Sequence, residues 1–295
     1  MRIGYFADGP WSHNALKKIL MDSAFSVEFI CARSDNPDQI LKDLAFNENI
    51  KFLVNQDINS EEFLAQVKEF ECDIYVSMSF NQIFKSKIIS QTPLGIINCH
   101  AGKLPFYRGR NILNWALIND EKDFGVTVHY VDEGIDTGDI IFQRTYPISD
   151  CDNYATLLER SYLYCADVLH KSLQMLNNGT APRIKQTEIH PTGFYCCQRK
   201  VGDERINWHD DSRDIFNFVR AICCPGPQAR TFLNGNEVKI NKVEYWHDAP
   251  KYKGISGVVL GIDDEGFTVK TADSFVKILE YNSSEMKVKV GDRFE

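Results

Sequence analysis

In the first half of the chain, short apolar runs rich in β-branched residues alternate with stretches whose apolar positions recur at helical spacing. Arg2 to Ala7, Val27 to Ala32, Lys51 to Val54 and Ile74 to Met78 read as strands. Gly95 to His100, Val126 to Val131 and Ile140 to Thr145 extend the series. Between them, Ser60 to Phe70 and Asn111 to Ile118 carry the helical period, and a longer helix over Tyr154 to Leu176 meets a stop at Asn177-Asn178-Gly179. This alternation predicts an α/β, Rossmann-like, mostly parallel sheet with helices on both faces.

The pattern changes near residue 179. Residues 179–205, with Pro182, Pro191 and Gly193, lack periodicity and read as a connector. Residues 206–295 hold one helix, Ser212 to Ile222, ended by Cys223-Cys224-Pro225-Gly226-Pro227, and then short strands. Turn signals at Asn234-Gly235-Asn236, Asp263-Asp264-Glu265-Gly266 and Asn282-Ser283-Ser284 split those strands. A small, open, OB-like β-barrel follows from this pattern. The apolar helix face Ile215, Phe218, Val219 and Ile222 is read as packing on that barrel. The predicted division is therefore a catalytic domain over 1–178, a connector over 179–205 and a C-terminal domain over 206–295.

Composition narrows the class of protein. The chain has 295 residues, 43% hydrophobic and 25% charged, with a mean hydropathy of −0.30; these are ordinary values for a globular protein. Its start, MRIGYFADGPWSH, lacks the basic and apolar regions of a secretion signal, and no run of about 18 apolar residues follows, so a cytoplasmic location without membrane contact is expected. A net charge of −8 and a pI near 5.5 argue against a phosphate-backbone binder. The nine cysteines are odd in number and scattered, which suits a reducing compartment. The adjacent pairs Cys196-Cys197 and Cys223-Cys224 lack the spacer that lets two thiolates reach one zinc, so no metal is expected.

The first strand runs into Asp8-Gly9-Pro10-Trp11, not the glycine fingerprint of a dinucleotide fold, and no phosphate loop for ATP is present. Chemistry concentrates in GIINCHAGKLPFYRGRNILNWALINDEKDFGVTVHYVDEGIDTGDII, beginning at Gly95. Asn98 and His100 lie two apart on a strand and therefore share a face. Asp136 sits in Gly134-Ile135-Asp136-Thr137-Gly138, where the glycines permit tight turns. These three residue types suit amine acylation. Asn98 can donate N–H to the oxygen that becomes negative in the tetrahedral intermediate. His100 can take the proton of the attacking amine. Asp136 can orient the imidazole and stabilise its cation.

The Asn98-x-His100 element, Leu104-Pro105-x-Tyr107-Arg108-Gly109 and Asp136-Thr137-Gly138 together resemble the formyltransferases dependent on N10-formyltetrahydrofolate. The resemblance continues through Ile206-Asn207-Trp208, Val219-Arg220-Ala221, Gly257-Val258-Val259 and Gly291-Asp292-Arg293-Phe294, so it covers nearly the whole chain. It implies an enzyme with Asn98, His100 and Asp136 in the catalytic positions and N10-formyltetrahydrofolate as co-substrate. The loop Ser77 to Ile83 then matches the one that holds the pterin, with Phe80, Gln82, Ile83 and Asp132 as its contacts.

Within that family the acceptor divides on smaller features. Glycinamide ribonucleotide enzymes resemble only the first domain. The tRNA enzymes carry a motif resembling LPRWRGAAPI with basic character further on, whereas here Gly109 precedes Arg110-Asn111-Ile112-Leu113-Asn114-Trp115-Ala116-Leu117. The YRGRNxxxWAL pattern resembles the sugar N-formyltransferases, which implies a nucleotide-linked amino-deoxy sugar as acceptor and a place in surface polysaccharide synthesis. From Asn207 onward there are about 12 basic and about 14 acidic residues, a poor footprint for a tRNA stem. His13, Tyr107 and Arg108 are the expected substrate contacts, with Trp115 as helix core. The C-terminal domain is expected to bind nucleotide, to form a homodimer interface or only to stabilise. Two readings from other classes remain: a metal-dependent hydrolase using His100, Asp136 and His129, and a non-catalytic binding module.

Overall fold

The computed structural model describes residues 1–282 and 287–295; Ser283-Ser284 of the last turn signal lie outside the described residues. Two compact units emerge that do not follow chain order. The first comprises Met1–Arg110, Phe124–Tyr146 and Glu159–Cys196, the second Asn111–Asp123, Pro147–Leu158 and Cys197–Glu295.

The elements in chain order begin with β1 (Arg2–Ala7), α1 (Pro10–Leu20), β2 (Ser26–Ala32), α2 (Gln39–Asn47), β3 (Lys51–Val54), α3 (Glu61–Lys68) and β4 (Ile74–Met78). Then come α4 (Ser86–Ile89), β5 (Ile96–His100), β6 (Arg108–Gly109), α5 (Ile112–Ile118), β7 (Asp123–Tyr130), β8 (Ile140–Pro147), α6 (Tyr154–Asn177), α7 (Gln186–Ile189) and β9 (Tyr195–Cys196). The chain finishes with α8 (Ser212–Ile222), β10 (Ala229–Leu233), β11 (Asn236–Glu244), β12 (Val259–Asp263), β13 (Gly266–Lys270) and β14 (Phe275–Asn282).

The first unit is built on a seven-stranded sheet of order β3-β2-β1-β4-β5-β7-β8. Strands β1 to β5 pair in parallel, and β7 joins β5 antiparallel. The order in which strands are added reverses between β1 and β4, the kind of switch point where open α/β sheets bind ligands. Local signals set the helix starts. The Asp38 carboxylate accepts from Leu41 N to cap α2, and the Ser60 hydroxyl accepts from Phe63 N to cap α3, with Glu61 and Glu62 in the first turn where the helix dipole favours them.

The core beneath the site is aromatic. The Phe6 ring meets Phe29, Phe63, Tyr75, Phe80 and Phe84 at centroid separations of 5.2–6.2 Å, all edge-on, a geometry that contributes beyond buried area alone. This cluster fixes the end of β4 and the loop that follows it.

The second unit carries a five-stranded antiparallel sheet of order β10-β11-β14-β13-β12. Helix α8 covers it, with Ile215, Val219 and Ile222 buried. Helix α5 packs on α8, and Asn114 Nδ2 donates to the Ala221 carbonyl at 2.5 Å. Trp115 Nε1 donates to the Cys197 carbonyl at 2.9 Å, so this indole is an anchor of the second unit. No described helix is long and apolar enough to cross a membrane.

Candidate active site

The period of two along β5 sends Asn98 and His100 to one face. Antiparallel pairing then sets Asn98 opposite His129 and His100 opposite Thr127. Opposed residues share a face, so four polar side chains project together, while Val126 and Val128 point away into fully buried surroundings. The 131–139 loop brings Asp136 over this face. All of these residues belong to the first unit.

Hydrogen bonding fixes the tautomer of each imidazole. His100 Nε2 donates to the Tyr107 carbonyl at 2.7 Å. A carbonyl only accepts, so the neutral ring keeps its proton on Nε2 and presents Nδ1 as the base. That Nδ1 lies 3.6 Å from Asp136 Oδ2. Orientation therefore comes from the Tyr107 backbone, and Asp136 contributes its charge. Gly102 makes the arrangement possible: a Cβ there would stand 2.4 Å from His100 Nε2 and 2.5 Å from the Tyr107 oxygen. Tyr107 itself is held at φ 57, a left-handed conformation rare outside glycine and frequent at functional sites.

His129 plays the complementary part. Its Nδ1 donates to the Tyr130 carbonyl at 2.8 Å, which leaves Nε2 of the neutral ring as an acceptor. Asn98 Nδ2 lies 3.3 Å from that nitrogen, so one amide hydrogen is donated to His129 and the amide is turned with its other N–H free to act on substrate. Asp136 Oδ1 lies 3.5 Å from the same ring nitrogen.

Asp136 is held at φ 55, and its Oδ2 accepts from Gly109 N at 2.8 Å. Burial raises its carboxyl pKa, but in the acid range where it would titrate the facing His100 and His129 rings are protonated, and these cations with the Gly109 N–H outweigh burial and hold it well below the ordinary carboxylate range. Burial pulls the His100 imidazole below its ordinary value, against the opposing pull of Asp136 and the Tyr107 carbonyl. A neutral imidazole beside a fixed anion is poised to accept a proton.

Gln186, on α7, ties the site together. Its Nε2 donates to the carbonyls of Asp136 and Gly138, both at 2.8 Å, and its Oε1 accepts from Arg108 Nε at 3.0 Å and Nη2 at 2.7 Å. Arg108 Nη1 donates to the Thr192 carbonyl at 3.2 Å. The Arg108 guanidinium is thus buried and committed inside the protein. Tyr107, also buried, reaches the centre through its backbone carbonyl. His13 Nε2 stands 3.0 Å from both oxygens of Asp38, the α2 cap.

The residues expected to hold a pterin occupy two loops. Phe80 is half-buried on the Phe6 cluster. Gln82 accepts from Ile58 N at 3.1 Å and donates to the Asn55 carbonyl at 2.8 Å, bracing its own loop. Asp132 Oδ1 accepts from Gly134 N at 3.0 Å and from the Thr137 hydroxyl at 2.6 Å, which shapes the turn carrying Asp136. Ile83 is 67% exposed and Ile135 57%. They sit on the loops that follow β4 and β7, the two neighbours of β5 in the sheet. Large apolar side chains left open on both flanks of the polar face fit a flat heterocycle.

A switch-point sheet that aims an amide N–H, a neutral imidazole and an adjacent carboxylate at one point defines an acyl-transfer site of the doubly wound class. Residues 16–167 match the formyl transferase domain and residues 199–292 the formyl transferase C-terminal domain. The chain belongs to the formyl transferase family and is an enzyme of formyl transfer; the family's one-carbon donor is N10-formyltetrahydrofolate. Among curated proteins, the methionyl-tRNA formyltransferase of Halothermothrix orenii is 35% identical over 258 residues, 86% of this chain and 81% of that protein. Among solved structures, the sugar 3N-formyl transferase WlaRD, determined with dTDP and 5-N-formyl-THF, superposes with a TM-score of 0.71 at 24% identity, covering 97% of this chain and 99% of that one. The N-formyltransferase of Helicobacter canadensis, determined with folinic acid and dTDP-3-aminofucose, gives 0.70 at 23% identity, with 95% and 99% covered.

Reading the sequence brought Asn98, His100 and Asp136 to notice but gave His129 only the role of a metal ligand. Among the described residues no three of His, Cys, Asp and Glu are arranged to hold a metal ion. The alternation Val126-Thr127-Val128-His129 was the available signal: it puts His129 on the polar face as soon as β7 is paired with β5. Gln186 left no such signal, since its partners, the Asp136 and Gly138 carbonyls and the Arg108 guanidinium, are brought to it only by folding.

Proposed function

We propose that the protein transfers a formyl group from N10-formyltetrahydrofolate to the amine of a nucleotide-linked amino-deoxy sugar. Asn98 directs its free N–H at the formyl oxygen as that oxygen gains negative charge. His100 Nδ1 removes the proton that the attacking amine must lose, and Asp136 stabilises the imidazolium so formed. The same proton is then available to the departing donor nitrogen, which closes the cycle without a covalent enzyme intermediate. Phe80, Gln82, Ile83 and Asp132 frame the donor side.

The observation that carries the acceptor is the charge of residues 207–295, with about 12 basic and about 14 acidic residues. A domain that grips a tRNA stem needs clustered positive charge, and this one is balanced towards the negative. The second reading is methionyl-tRNA, favoured by the 35% identity to a methionyl-tRNA formyltransferase. The two are separated by incubating the protein with N10-formyltetrahydrofolate, a panel of nucleotide-linked amino sugars and methionyl-tRNA, and following the 28 Da mass gain expected for replacement of hydrogen by formyl, roughly one carbonyl unit per amine acylated. Formylation confined to methionyl-tRNA overturns the sugar assignment.

A further inference from the structure

The connector does more than join domains. Strand β9 pairs in parallel with β6, setting Arg108 against Tyr195 and Gly109 against Cys196. Arg108 N donates to the Phe194 carbonyl and Arg110 N to the Cys196 carbonyl, both at 3.2 Å, and Phe194 N donates to the Pro105 carbonyl at 3.3 Å. Gly109, at φ 93, is required for the close approach, because a Cβ there would lie 2.5 Å from the Cys196 oxygen. The same Gly109 donates to Asp136 Oδ2, and the neighbouring Tyr107 carbonyl holds His100. Residues 194–196 are thus fastened to the two backbone groups that position the catalytic pair.

On this anchored strand Tyr195 is 53% and Phe194 40% exposed. The Phe194 ring is propped by Tyr107 at 4.8 Å and Phe106 at 5.4 Å. The Arg108 guanidinium carbon lies 5.3 Å from the centroid of the Tyr195 ring, and Gln186 and the Thr192 carbonyl fix that guanidinium in turn. Tyr195 is therefore an aromatic side chain on an anchored strand, backed by a cation and half open to solvent. With the donor assigned above to the loop after β4, the β6–β9 pair, tied to Gly109 and the Tyr107 segment, is assigned here to the acceptor.

We propose that Tyr195, with Phe194 beside it, is the stacking surface for the planar base of the nucleotide-linked acceptor, and so sets the affinity for that acceptor. This rests on the sugar reading above. Flat rings stack on such side chains whatever their hydrogen-bonding edge, and loss of the aromatic partner weakens binding about tenfold or more. The test uses full-length protein, the nucleotide-linked amino sugar that the wild type formylates in the panel, and dTDP, UDP and GDP as inhibitors. Tyr195→Ala should raise KM for the nucleotide sugar at least tenfold and weaken inhibition by the matching free diphosphate by the same factor. It should change kcat and KM for the folate by less than threefold, and Tyr195→Phe should restore the nucleotide-sugar KM. An unchanged KM in Tyr195→Ala, or a rise in the folate KM instead, overturns the proposal while leaving the acceptor class standing. Wild-type protein that formylates methionyl-tRNA and no nucleotide sugar overturns the acceptor reading and this inference with it.

Discussion

Replacing Asp136 with Asn keeps the shape of the side chain and its acceptance of the Gly109 N–H while removing the charge that faces His100. Two unit charges 3.6 Å apart attract by roughly 4–5 kcal/mol at an effective dielectric of about 20, a ceiling that residual solvent screening reduces to about 3 kcal/mol. That energy stabilises the imidazolium formed as the amine is deprotonated, so kcat should fall on the order of a hundredfold in Asp136→Asn. The pH profile gives a sharper test. His100 must be neutral to act as base, and burial already lowers its pKa, so the acid limb of kcat/KM should lie below the ordinary imidazole value of about 6.5. The Asp136 charge is what opposes that lowering. Its removal should therefore move the acid limb to still lower pH, even as the rate collapses. Initial rates of formyl transfer measured from pH 4.5 to 8.5, about the span over which imidazole titrates, would show both effects. A variant within threefold of wild-type kcat, or an acid limb that stays put or moves upward, would refute the assignment of His100 as base and Asp136 as its counter-charge.

Stability should respond to the same carboxylate: because its folded pKa is depressed, its contribution is complete above the unfolded value of about 4 and is lost as pH falls through the folded value. Denaturant titrations should thus find Asp136→Asn less stable than wild type at pH 7, with the gap narrowing below pH 4 or so. Gln186→Leu strands the Asp136 and Gly138 carbonyls and the Arg108 donors in the interior; at about 1–3 kcal/mol per orphaned group that is not rehydrated, a loss of roughly 3 kcal/mol in urea unfolding is expected, with kcat reduced as well. His129→Ala releases the Asn98 amide and should lower kcat about tenfold, roughly the value of one hydrogen bond, with KM for both substrates nearly unchanged in steady-state assays. Gly102→Ala forces a methyl against His100 Nε2 and the Tyr107 oxygen, so activity should drop at least tenfold, by the roughly 1–3 kcal/mol of an overpacked site, while circular dichroism stays native-like.

What the sequence could disclose depended on the range of the interaction. Strands β1 and β4 begin and end where the apolar runs do, since burial on both faces writes itself into nearly every consecutive residue. Asn98 and His100 were legible as a pair for an equally local reason, the two-residue period of a strand. What holds them in place was not, because it is carried by backbone atoms: the Tyr107 carbonyl that orients His100, the Gly109 N–H that receives Asp136, and the Tyr130 carbonyl that selects the tautomer of His129. A carbonyl looks the same in any residue, so no side-chain pattern reports it. Arg108 shows the converse. Its chemistry invited a phosphate contact, but Gln186 and Thr192, brought close only by folding, supply acceptors that satisfy the guanidinium indoors. Its cation then becomes the support behind Tyr195, so an arginine expected to meet the acceptor directly would act on it through the ring it backs.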